Sequence, residues 1–109
     1  MKASETFRHP VYRHNCAQCI VYKWNKLFEN NAQFIEASQG YGVGRAPEGM
    51  CGALYAAINA LPNHKEEILS EFKSKNGALT CHELKQELNV PCHTCVAVAD
   101  ELIEKYSIV

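Results

Sequence analysis

MCGALYAAINAL, residues 50–61, is the stretch on which the fold turns. Apart from Asn59 it carries almost no polar side chain. It is too short to span a membrane and shows no period-two alternation, so it reads as a central helix buried on most sides. The run before it, QGYGVGRAPEG at 39–49, is a glycine-rich loop. After it, Asn63 is placed to cap a helix with Glu66 at its third position, and Ile68, Leu69 and Phe72 form the apolar face. Asn76-Gly77 ends that helix, glycine suiting a left-handed exit. Thr80 with Glu83 makes a capping box, and Leu79 with Leu84 a hydrophobic staple. Pro91 opens a last helix running to about Tyr106, with Val96, Ala99, Leu102, Ile103 and Tyr106 as its buried stripe. Upstream, Asn15 and Gln18 make a second capping box. Cys16, Ile20, Trp24 and Leu27 then share one face to about Glu29, and a short helix covers 32–37. The expectation is an all-α fold: a single compact bundle of five or six helices, with the glycine-rich loop before the buried central helix. Residues 1–14 read as a loosely held polar arm and 15–109 as one helical, cysteine-rich domain.

Charge and composition exclude several roles. The net charge is −1 and no two Lys or Arg residues are adjacent, so neither nucleic acid nor an anionic membrane is the expected partner. The N-terminus lacks the apolar core of a secretory signal, and no apolar run approaches a membrane span, so the expected compartment is the cytoplasm. There, six cysteines in 109 residues read as metal ligands or redox thiols rather than structural disulfides.

Four of them stand at helix starts. Cys16 follows the Asn15 cap and Cys81 the Thr80 cap. Cys92 follows Pro91, which puts it second if proline takes the first helical place, and Cys51 opens the central helix. A first-turn cysteine sits among unpaired backbone N–H groups at the positive end of the helix dipole, which favours thiolate over thiol. If the four starts converge, they form a pocket for thiolates, a metal or an anionic cluster. Cys19 and Cys95 lie three residues past Cys16 and Cys92 on the same faces, extending the site or packing behind it. Buried cysteine as a small apolar filler is the competing reading, strongest for Cys19 beside Ile20 and Val21.

The runs HNCAQC (14–19), GVGRAPEGMCGALYA (42–56), NGALTCHEL (76–84) and PCHTCVAVADELIEKY (91–106) together resemble the redox-active protein family named for its C_GCAxxG_C_C cysteine pattern. That pattern has one early cysteine, a CGAxxG-type motif and two later cysteines, which fall on Cys16, Cys51, Cys81 and Cys92. The resemblance implies a helical fold and a redox or iron–sulfur role. Ala56 stands where the family favours glycine, and Cys19 and Cys95 are additions to the pattern.

Three chemistries suit such a set. Thiol–disulfide exchange needs two sulfurs within reach and one attacking thiolate; Cys16/Cys19 and Cys92/Cys95 are CxxC pairs, without the βαβ context of thioredoxin. An iron–sulfur cluster needs about four sheltered thiolates. Zinc, held by Cys16, Cys19, Cys92 and Cys95, is the weaker match because the gap between the pairs is long. Haem is not expected, since Ile20 and Val96 follow the two CxxC pairs where histidine is required. Nor is a nucleotide, because Pro47 follows Gly42-Val43-Gly44 where a third glycine is needed. His14, His82 and His93 are further candidate ligands, and Arg45 could face an anionic site. The functional expectation is redox activity through a cluster or thiol–disulfide chemistry, with a redox partner protein of unknown identity. The alternative is a non-catalytic helical interaction or structural module holding zinc or unreactive buried cysteines, with Trp24, Phe28 and Phe34 available to a homodimer surface.

Overall fold

Helix α3, Gly52–Ala60, lies at the centre because almost every side chain on it is small or apolar. Gly52, Ala53, Leu54, Ala56, Ala57, Ile58 and Ala60 are all buried. Its one polar side chain, Asn59, turns its amide back to the Tyr55 carbonyl at 2.8 Å and so needs no partner elsewhere. Small residues on several sides let α1 (Cys16–Lys23), α4 (Lys65–Asn76) and α5 (Cys92–Ser107) all pack against it. These positions come from a computed structural model describing residues 3–8, 14–29, 31–40 and 46–107. Among them the chain forms five α-helices, the remaining one being α2 (Ala32–Ala37), and a π-helical turn, Glu83–Glu87, with 3-10 turns between and no strand. The all-α expectation holds. Residues 41–45 of the glycine-rich loop lie outside the described residues.

Local signals set several boundaries as expected. The Asn15 side chain accepts the Gln18 N–H at 2.8 Å, and the Gln18 side chain accepts the Asn15 N–H at 2.9 Å, a complete capping box. Gly77 ends α4 at φ 96°, and its N–H closes on the Lys73 carbonyl at 2.7 Å. A Cβ there would meet Leu88 Cδ1 at 2.8 Å, but that is the end of an exposed side chain free to shift, so the backbone angle is what calls for glycine.

Other boundaries differ. Helix α1 stops at Trp24, and a 3-10 turn, Asn25–Phe28, carries the chain on. The tighter winding changes the phase of the buried face. Phe28 therefore goes inside, where Leu27 was expected and is 36% exposed. Phe28 stacks on Phe34 with ring centroids 5.3 Å apart inside the core, so neither ring offers a dimer surface. Asn63 does not cap α4. Pro62 fixes a 3-10 turn through His64, and the Lys65 N–H bonds back to the Pro62 carbonyl before the α-helix begins.

The N-terminal segment was expected to be loose, but its described part is docked. Ala3 is fully buried, and its N–H donates to Asp100 Oδ2 at 3.0 Å. The same carboxylate accepts the Trp24 indole N–H at 2.8 Å and the Lys23 ammonium at 2.9 Å. A buried charge persists only when paired and hydrogen-bonded, and this one has three donors. Asp100 thus ties the arm and the end of α1 to the middle of α5.

Candidate functional site

The helix starts converge. Met50 and Thr80 form an antiparallel bridge, and the Cys51 N–H donates to the Leu79 carbonyl at 2.9 Å. The chain entering α3 and the chain entering the π turn therefore run side by side, setting Cys51 next to the Cys81 segment. Cys51 is the N-cap of α3. Cys16 is the first residue of α1, and Cys92 is the first of α5, one place earlier than the proline rule put it. The Pro91 carbonyl caps that helix start, accepting the N–H groups of Thr94 at 3.1 Å and Cys95 at 3.2 Å.

Five of the six sulfur-bearing residues, Cys16, Cys51, Cys81, Cys92 and Cys95, line one enclosed hollow with Gly52, Leu84 and Lys85. Its volume is about 10 Å³, room for about one water. None of the six cysteines is in a disulfide. Cys19 is elsewhere: it is fully buried in the core and does not line the hollow. His82 and His93 are exposed and line outer hollows, not the sulfur one. His14 lies beside Cys16 and Cys92 in a shallower hollow, where burial lowers its pKa. Arg45 falls outside the described residues.

The hollow has an inner and an outer side. On the inner side the Cys51 sulfur faces both Cys16 and Cys95. The interaction with Cys51, burial and the charge Cys51 would carry push the Cys16 thiol well above its ordinary range, against the N–H groups of Ala53 and Ala17. At Cys51 the Cys16 interaction works downward, but the Cys95 interaction, burial and the Cys95 charge outweigh it and the Leu54 N–H, so the thiol is pushed up to about 12. The N–H groups at the start of α3 do face these sulfurs, as the helix-start reading expects. Desolvation and sulfur–sulfur contact are stronger, so Cys16 and Cys51 are protonated at neutral pH.

On the outer side Cys81 and Cys92 are half-buried. Cys81 is also raised, chiefly by burial and then by the charges of Cys92 and Cys16, with Lys85 opposing. The thiolate expected from its helix start does not result. Cys81 has only one regular residue after it before the chain widens into the π turn. The Thr80 hydroxyl takes the Glu83 N–H at 3.3 Å, but the Glu83 carboxylate bonds that hydroxyl rather than the Thr80 backbone, so the box is incomplete. So short an irregular element has little dipole to set against desolvation. The π turn sends Leu84 and Lys85, neighbours in sequence, into the same hollow. Lys85 shares that hollow with Cys92, and interaction with the Cys92 sulfur holds the lysine above its usual range.

Residues 14–106 match the family model described as "Putative redox-active protein (C_GCAxxG_C_C)". The chain belongs to this family. No curated protein and no solved structure matches it. Cys16, Cys51, Cys81 and Cys92, the four expected to carry the pattern, all line the hollow, and Cys95 joins them. Ala56 is fully buried within α3, where its methyl is part of the core.

Lys85 is the residue missed in the sequence. It follows Cys81 by four, the spacing of one helical face, and that was the available signal. The donor set has the chemistry of a thiophilic metal or an iron–sulfur cluster. The arrangement does not fit one. Among the described residues no three His, Cys, Asp or Glu side chains stand so as to hold an ion. The hollow takes about one water, not a cluster.

Proposed function

We propose that the chain is a thiol–disulfide redox protein, with Cys92 the attacking sulfur and Cys81 the resolving one. The observation that carries this reading is the placement of the Lys85 cation with half-buried Cys92 in a hollow lined by four further cysteines. A paired ammonium supplies a counter-charge to the thiolate, which is the nucleophile in exchange. Half-burial of Cys92 leaves it accessible, and the sealed Cys16, Cys51 and Cys95 do not compete.

The reaction balances with a disulfide as oxidant. Cys92 attacks one sulfur of the substrate, its bond to that sulfur forms, and the substrate S–S bond breaks. One substrate half leaves as thiolate and takes the proton that Cys92 gave up. Cys81 then attacks the Cys92 sulfur, and the second half leaves as a thiol. The protein has lost two electrons and two protons, and the substrate has gained them.

The test is exchange of fully reduced protein with a small disulfide, followed by mass spectrometry. Cys92→Ser is expected to abolish fast exchange, and Cys81→Ser to trap a mixed disulfide on Cys92. Exchange by Cys92→Ser at the wild-type rate overturns the assignment. Stoichiometric iron and sulfide, or one zinc per chain, in anaerobically purified protein would move the reading to a cluster or a structural metal. Six thiols inert to disulfides and free of metal would leave a helical module with packed cysteines.

A further inference from the structure

Two outer hollows meet at Cys92. One, of about 380 Å³, runs past Pro91 and His93; the other, of about 210 Å³, runs past His14 and Cys16. They share Phe7, Arg8, Lys85 and Cys92, so they form one groove with the attacking sulfur at its middle. Its charges are of one sign. Arg8 and Lys85 both line it, and among the described residues no Asp or Glu does. The two cations oppose each other, Arg8 acting to lower Lys85. Among the described residues neither is in a salt bridge with a carboxylate. This concentration of positive charge stands on a chain whose net charge is −1.

The groove is built, not incidental to a loose terminus. Phe7 bridges to His14, and the Arg8 N–H donates to the His14 carbonyl at 2.9 Å. Arg8 holds φ at 51°, a left-handed backbone uncommon outside glycine. Its guanidinium lies 5.1 Å from the centroid of the Phe7 ring, a cation–π contact that restricts it. The segment is anchored by the buried Ala3 five residues earlier.

We propose that this groove receives a small disulfide carrying negative charge, of the class formed by carboxylated thiols, with Arg8 and Lys85 as its anion contacts and Cys92 as the sulfur it meets. The inference rests on the thiol-exchange reading above and names the substrate class of that site. Exchange follows the same balance: the anionic disulfide accepts two electrons and two protons and leaves as two thiols, and the protein keeps a disulfide.

Exchange rates of reduced protein with three probes test it: dithiodiglycolate (dianionic), 2-hydroxyethyl disulfide (neutral) and cystamine (dicationic). Each rate is divided by the rate of the same probe with a small neutral thiol, which removes intrinsic reactivity. The expected order is anionic, neutral, cationic, with the anionic probe ahead of the neutral one by on the order of tenfold at low salt. Added salt should shrink the ratio. Arg8→Glu should erase or invert it, and Arg8→Gln is the milder variant if the reversal disturbs folding. Equal normalised rates, or a preference that survives both Arg8 variants, overturn the substrate class while leaving exchange itself standing. Failure of all three probes to react overturns the exchange reading and this inference together.

Discussion

Asn15-Cys16 and Thr80-Cys81 begin from one local plan, a polar cap followed by a cysteine, and end in different chemistry. Cys16 leads a regular helix, is 7% exposed, and faces Cys51 in the sealed half of the hollow. Cys81 leads two helical residues and a π turn, is half-buried, and faces the same hollow from its open side with Lys85 nearby. The cap decides where the chain starts to wind. What packs against the sulfur decides whether it can ionise. The dipole argument alone treats the two alike, and burial raises both.

The largest expected effect comes from the polar knot that fixes the inner half. Asp100→Ala removes the acceptor for Ala3, Lys23 and Trp24 and strands the partly buried lysine. Breaking a buried pair in this way costs about 3–5 kcal/mol. Denaturant unfolding should read that loss. In the folded fraction, the relative motion it allows between α1 and α5 should make Cys16 easier to label. A variant as stable as wild type would show that the α1–α5 join does not depend on this carboxylate.

Alkylation at about pH 7.5, read peptide by peptide, should separate the halves by on the order of a hundredfold, Cys92 and Cys81 ahead of Cys16, Cys51 and Cys95. The separation should narrow in alkali. An unfolded thiol ionises near 9.0, whereas Cys51 holds its proton to about 12. Between those values the folded state binds more protons than the unfolded state. The stability that burial of the neutral thiol supplies is therefore complete below 9.0 and is lost as pH rises toward 12. Thermal melts of the reduced protein should show the midpoint falling over that window. Serine at Cys51 should flatten the decline. Melts independent of pH above 9.0 would contradict the sealed inner half.

Much of this contrast lies close to the surface of the sequence, and the unread part has a common cause. Asn15 with Gln18, Gly77 and the stripe from Val96 to Ile103 are local patterns, legible because partners stand three or four residues apart. The four family cysteines were legible as helix starts, although nothing local says that they meet. The Met50–Thr80 bridge brings two of them together across thirty positions of chain. Asp100 reads as one more polar position on an amphipathic helix, since its partners Ala3 and Trp24 lie far upstream. The break at Trp24 and the π turn are tertiary choices that override good helical periodicity. Lys85 was obscured by the π turn.

A smaller effect probes the outer half. Lys85→Met keeps the length of the stem and removes the ammonium from the Cys92 sulfur. Loss of the neighbouring positive charge should slow Cys92 alkylation at neutral pH by roughly tenfold. Cys81, which feels the same lysine only through charge, should slow less, and the inner thiols should not change. Equal slowing at every cysteine would mean that the substitution had altered the fold rather than the sulfur's counter-charge.

The smallest effect returns to the two caps. Asn15→Ala removes the side-chain half of a closed capping box, the acceptor for the Gln18 N–H. It also removes the amide that bonds the Ser38 and Gln39 carbonyls, each at 3.0 Å. That substitution should cost about 1–2 kcal/mol, at the upper end for a cap because it also cuts a long-range tie. Thr80→Ala removes one exposed N–H contact at 3.3 Å from the start of a π turn and should cost about half a kcal/mol. The ratio is the informative quantity. If Thr80→Ala is as damaging as Asn15→Ala, the Cys81 segment is held by its own cap and not by the Cys51–Leu79 hydrogen bond across the bridge. The unequal result would mean that the outer sulfur keeps its position by tertiary pairing, with its own turn left lightly held.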